Sequence, residues 1–110
     1  MNLSTTTHES HAVISVTGRL TAAGAPALRA AVQELVDAGS ARIVLDLAAT
    51  AFVDSSGLGA IIGGLKTARN AGGDLRIAAV PEPVAAVLRL TNLDRVLRAH
   101  PTPETAFDGD

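Results

Sequence analysis

The sequence predicts a single α/β domain: a mixed sheet of four to five strands whose first pair is antiparallel, packed by about four helices. Three observations predict it. Segments with a two-residue apolar period alternate with segments of helical period along the chain. The first two strand-like segments lie too close for a crossover helix, so that pair is antiparallel, while later neighbours are parallel and joined by right-handed crossovers. The chain has 110 residues, 47% apolar and 18% charged, which suits one folded domain with one core. The expected domain spans 1–110, with about 3–107 ordered.

The elements follow in order. Leu3 to Glu9 reads as a ragged edge strand. Ala12 to Thr17 is a strand with Ile14 and Val16 on one face and Val13 on the other. Gly18 is expected to end it, leaving Gly18 to Gly24 as a loop. A helix runs from about Ala25 to Ala38. Pro26 suits its first turn, where a missing N–H costs nothing, and Leu28, Val32, Leu35 and Val36 form one apolar stripe. Gly39 is the expected stop.

Arg42 to Leu47 is β-branched and mostly apolar, the pattern of a buried strand. Ala51, Phe52 and Val53 then lead into Asp54-Ser55-Ser56-Gly57, and a second helix extends to about Ala71. Leu58, Ile61, Ile62, Leu65 and Ala68 make its buried face, and Phe52 reads as core rather than docking surface. Gly72-Gly73 closes the helix, and Leu75 to Ala79 is another strand. Pro81-Glu82-Pro83 opens a short helix with Val84, Val87 and Leu88 as its apolar positions. Thr91-Asn92-Leu93 is a turn, Arg95 to Ala99 a last strand, and Glu104 to Phe107 a short helical turn.

Composition excludes several classes of function. Without cysteine there is no disulfide, thiol catalysis or thiolate metal site. The formal net charge is -2 and no basic run is present, which argues against nucleic-acid binding. The apolar runs fall far short of the ~20 residues of a membrane span, and the polar N-terminus lacks the pattern of a signal peptide. The cytoplasm is the expected location, and no cofactor is expected. His8 and His11 would face opposite ways on a strand, with no third ligand, so no metal is expected. His100, beside Pro101, reads as a solvated loop residue. No Gly-x-Ser-x-Gly elbow supports a hydrolase built on Ser55 or Ser56. The glycines from Gly57 to Gly63 lie inside a helix, unlike a dinucleotide fingerprint.

The most informative stretch is Phe52 to Gly59. In one reading Asp54 or Ser55 is simply a helix cap, and the glycines allow a tight turn. In the other, the free amides and positive dipole end of the first turn suit a phosphorylated serine, and Gly57 and Gly59 let a partner approach the backbone. Capping alone does not require two glycines, each of which costs up to ~1 kcal/mol against alanine in a helix.

Asp54-Ser55-Ser56-Gly57-Leu58-Gly59 resembles the hallmark of the STAS domain, and within it of the bacterial anti-sigma-factor antagonists. The resemblance extends to Arg42–Leu47 before the hallmark, to Gly72-Gly73-Asp74-Leu75, and to the helix from Val84 to Leu93. It covers roughly Leu3 to Phe107. It implies a binding protein rather than an enzyme. Such an antagonist, unphosphorylated, binds an anti-sigma factor that is also a serine kinase. The kinase uses ATP to phosphorylate the first serine of the hallmark, here Ser55; the phosphoprotein no longer binds, and a separate serine phosphatase resets it. The partner-binding residues implied are Thr21, Asp54, Ser56, Gly57, Leu58 and Gly59. A phosphate adds about -1.5 to -2 charges, and placing it without a prepared counter-charge in an interface made for a hydroxyl would cost ~3 kcal/mol, over 100-fold in affinity. One departure stands out. The family usually carries Asp after the Gly-x-Leu of its first loop, whereas Gly18-Arg19-Leu20 is followed by Thr21, which supplies no charge for kinase recognition. A STAS module of another kind, a stress-complex scaffold or a transporter accessory subunit, is the alternative.

Overall fold

The computed structural model describes residues 1–108. The strands are β1 (Asn2–Thr7), β2 (Ala12–Leu20), β3 (Arg42–Asp46), β4 (Thr50–Val53), β5 (Asp74–Ala78) and β6 (Ala99–His100). The helices are α1 (Ala25–Asp37), α2 (Ser55–Asn70) and α3 (Glu82–Leu90), with single 3₁₀ turns at Leu93–Arg95 and Pro103–Thr105. The sheet runs β1-β2-β3-β5-β6, and β4 pairs with the far end of β2. β1 and β2 are antiparallel and the other pairs are parallel.

The mixed α/β sheet with an antiparallel first pair is the expected one, but the described residues form six strands rather than four to five, because Thr50–Val53 pairs with β2 as a short strand of its own, and other details also depart from expectation. Three α-helices are present among the described residues rather than about four, because the turn expected near Glu104 is a single 3₁₀ turn. The last strand begins at Ala99, since Leu93–Arg95 is 3₁₀. Gly18 does not end β2. It takes φ +94° and the pairing register shifts there, after which Arg19 and Leu20 continue the strand against β4. His100 is not a solvated loop residue: it lies in β6, half-buried, with Nε2 enclosed and making no hydrogen bond among the described residues.

Alternation sorts the sheet into two faces. Ile14, Val16, Ile43, Leu45, Leu75 and Ile77 are buried toward the helices, where Leu28 and Val32 of α1 and Ile61 and Leu65 of α2 meet them. Burying each such side chain is worth about 1.5–3 kcal/mol. Val13, Val44 and Ala78 point to the other face, which the C-terminal segment covers with Ala106 and Phe107. Two guanidinium groups lie against the Phe107 ring, Arg76 at 4.2 Å and Arg42 at 4.7 Å from its centre. Arg76 also donates to the Ala106 carbonyl at 2.9 Å. His8 and His11 fall at the turn between β1 and β2, and their rings stack 5.0 Å apart rather than facing opposite ways.

Asp74 anchors the start of β5. It accepts hydrogen bonds from Arg69 Nε at 3.1 Å, from Arg76 Nε at 3.2 Å and from the Leu75 N–H at 2.9 Å. Burial pushes its carboxyl up, but the bonds from Arg69, Leu75 and Arg76 outweigh burial and hold it below the usual carboxylate range. A carboxyl depressed in the folded state contributes stability above its unfolded pKa, and that stability is lost as pH falls through the folded value. Between about pH 5 and pH 3 the wild-type protein should therefore lose more stability than Asp74→Asn, as measured by urea unfolding across that range. Parallel curves for the two proteins would show that Asp74 contributes nothing.

Candidate functional site

The site lies where β2 and β4 end, the carboxyl edge at which open α/β sheets place their functional loops. The two strands run parallel with Leu20 opposite Val53, so the residues that follow, Thr21 and Asp54, leave the sheet side by side. The Asp54 N–H donates to the Leu20 carbonyl at 3.2 Å, tying the two strand ends together. α1 and α2 start from this edge and pack against each other.

Asp54 has extended backbone and is the N-cap of α2. Its carboxylate accepts from the Gly57 N–H at 2.8 Å, satisfying one of the free amides of the first turn. The cap is therefore Asp54 and not Ser55. Ser55 is the first helical residue, exposed, and Ser56 beside it is half-buried. Among the described residues neither serine hydroxyl is engaged in a hydrogen bond. The helix does not need Ser55 for its own end, and its hydroxyl faces solvent.

Gly57 and Gly59 differ. A methyl group on Gly57 would sit 2.3 Å from the Leu20 carbonyl oxygen and 2.9 Å from Leu20 Cγ. Glycine at 57 is required because the first turn of α2 packs directly on the end of β2. It is buried, as is Leu58, so the backbone there is closed by the protein's own strand. Gly59 is exposed, and a methyl group on it would meet only Arg29 Nη2, at 3.8 Å. Of the remaining expected contact residues, Thr21 is half-buried, as is Asp54. A hollow of about 360 Å³ beside Thr21 is also lined by Met1, Arg19, Ala23, Gly24 and Ala27.

The structure adds three residues that sequence reasoning missed. Phe52 is 39% exposed rather than core, and the Arg19 guanidinium lies 4.5 Å over its ring. Arg19 and Phe52 are opposite each other in the β2–β4 register. Arg29 of α1 reaches across α2 at Gly59 and Gly63. The short strand before Asp54 was the only signal for Phe52, and its alternation is too brief to tell a covered face from an open one. The exposed surface around Ser55 thus carries a stacked aromatic, two arginines, Thr21 and an exposed glycine.

Comparison with known proteins fits this geometry. The family model described as "Mlab, STAS domain" matches residues 3–99. A protein of Thermotoga maritima named "Putative anti-sigma factor antagonist" is 35% identical over 75 residues, 68% of this chain and 66% of that protein, just under two thirds of its length. The crystal structure of a Thermotoga maritima protein so described superposes with a TM-score of 0.88 at 27% identity, covering 96% of this chain and 92% of that one. The antagonist SpoIIAA shares the fold at 20% identity. Its unphosphorylated form gives a TM-score of 0.83 over 97% of this chain and 94% of that one, and the Bacillus protein in its phosphorylated form gives 0.75 over 97% of each. Among the described residues no helix is long and apolar enough to cross a membrane, and no three His, Cys, Asp or Glu side chains gather as metal ligands. The family match over nearly the whole chain, with the Asp54–Gly59 segment at the start of α2, makes this chain a member of the STAS domain family.

Proposed function

We propose that this protein antagonises an anti-sigma factor that is also a serine kinase, and that phosphorylation of Ser55 ends the interaction. The observation that carries this reading is the division of labour at the start of α2. Asp54 caps the helix, so the Ser55 hydroxyl is exposed and free to be modified. The likeness to anti-sigma factor antagonists supports the partner class. In this reading the unphosphorylated surface of Thr21, Ser55, Ser56 and Gly59, flanked by Arg19 and Phe52, docks on the anti-sigma factor. Phosphate transferred from ATP to Ser55 then introduces a charge the interface must desolvate. A serine phosphatase restores the binding form. The protein is substrate and binder and does no catalysis itself. Gly57 and Leu58 support the surface from beneath.

The reading is tested by capturing the native partner, mapping the phosphosite after incubation with ATP, and measuring affinity. Ser55→Ala should bind the partner as the unmodified protein does and take no phosphate. Phosphorylation should lower affinity by over 100-fold, about 3 kcal/mol, and Ser55→Asp by less, since one carboxylate is an imperfect substitute. Phosphate found at Ser56 or at a threonine sinks the assignment. Thr21, where antagonists usually carry Asp, favours a second reading as a scaffold or transporter subunit. Capture of such an assembly without phosphate on Ser55 would establish it.

A further inference from the structure

We infer that Arg29 is the intramolecular counter-ion of phosphoserine 55. This rests on Ser55 being the modified residue and names the group that receives its charge. The observation behind it is the course of the Arg29 side chain. A methyl group on Gly63 would lie 3.9 Å from Arg29 Nε, and one on Gly59 would lie 3.8 Å from Nη2. The guanidinium therefore runs along α2 from the third turn toward the first, with its outer nitrogen nearest Ser55.

Helix geometry closes the remaining distance. Ser55, Gly59 and Gly63 are four residues apart and share one face, so Ser55 is about 6 Å along the axis from Gly59. Cα–Cβ bonds tilt toward the helix N-terminus, so the space over Gly59 opens toward Ser55. A phosphate carries its oxygens beyond the serine Oγ into that gap. A guanidinium can bind two of those oxygens at once, and it keeps its charge at any physiological pH. The glycines at 59 and 63 leave this lane open, and even a methyl group at either would only touch Arg29 at ordinary contact distance.

The other charged groups nearby are already committed or distant. Arg29 is exposed and takes part in no ion pair or hydrogen bond among the described residues. Asp54 holds its carboxylate against the Gly57 N–H. Arg19 on β2 is stacked on Phe52. β4 carries no charged residue, and Lys66 lies beyond Gly63 on α2. Phosphorylation then does two things. It adds negative charge at Ser55, and it withdraws a free cation from the face that meets the partner.

The test uses the full chain with phosphoserine installed at position 55 during translation, so no kinase is needed. The second ionisation of the phosphate is followed by phosphorus NMR. A nearby cation favours the dianion, so Arg29→Ala should raise that pKa by about 0.5 unit. Arg29→Lys should recover part of the shift, and Arg19→Ala should move it less than Arg29→Ala does. Because Arg29 is exposed, these variants leave the core untouched. An unchanged phosphate pKa in Arg29→Ala, or a larger shift in Arg19→Ala, overturns the assignment. Failure of a kinase to modify Ser55 would instead strike the proposed function, so the two failures are distinguishable.

Discussion

Gly57→Ala is expected to destabilise the protein by about 2–3 kcal/mol, whereas Gly59→Ala, two residues on, should be neutral or stabilising by up to ~1 kcal/mol. Both positions are helical, and alanine is the better helix former at each. Space decides the sign. The added methyl at 57 would stand 2.3 Å from a backbone oxygen, that of Leu20, with Val53 Cγ1 at 3.0 Å on another side. The Leu20 carbonyl cannot retreat cheaply, because it accepts the Asp54 N–H that joins β2 to the start of α2. Relief requires lifting the first turn of α2 off the sheet, which also disturbs the Asp54 cap and the setting of Ser55. At 59 the methyl meets only the mobile end of Arg29 at 3.8 Å. Urea unfolding of the two variants measures the difference directly. A Gly57→Ala protein within about 0.5 kcal/mol of wild type would mean that α2 does not sit on Leu20 as described.

The contrast between these glycines marks where the sequence stops being informative. Both belong to one motif, and both read as gaps left for a partner. Only tertiary packing shows that Gly57 is filled by the protein's own strand. The same boundary appears elsewhere. The stripe of Leu28, Val32 and Leu35, the alternation of Ile14 and Val16 against Val13, and the cap chemistry before α2 depend on neighbours in sequence, and the structure places them as their periods require. Gly18 misled because a glycine at positive φ normally ends a strand, whereas here it marks a shift of register that lets β2 exchange one neighbour for another. Phe52 misled because an aromatic in an apolar run is usually core. Its exposed ring is covered by Arg19, a residue 33 positions away that only the β2–β4 register brings near (52 − 19). Arg29 gave no sequence signal, since its position depends on how α1 and α2 lie against each other.

Phe107→Ala should cost about 3 kcal/mol, the low end for deleting a buried phenyl ring. Val13, Val44 and Ala78 make the sheet face away from the helices, and their cover comes from Ala106 and Phe107. The family match ends at residue 99, so this cover lies outside the matched segment. Removing the ring would open that face to water and take away the surface on which Arg42 and Arg76 stack. Arg76 is 6% exposed, and a guanidinium so enclosed needs its contacts kept. Its bond to the Ala106 carbonyl depends on the segment staying in place, while its bond to Asp74 lies within β5. Arg42→Ala, which removes one stacking cation and leaves the ring buried, should cost less, about 1 kcal/mol. Ser55 sits at the opposite end of the β-strands from Arg42 and Asp74, which start β3 and β5. Partner affinity of the folded Phe107→Ala protein should therefore match wild type while its urea midpoint falls. A loss below about 1 kcal/mol would show that the C-terminal segment folds apart from the domain. A loss of partner affinity in protein still folded would show that the covered face, and not only the Ser55 edge, takes part in binding.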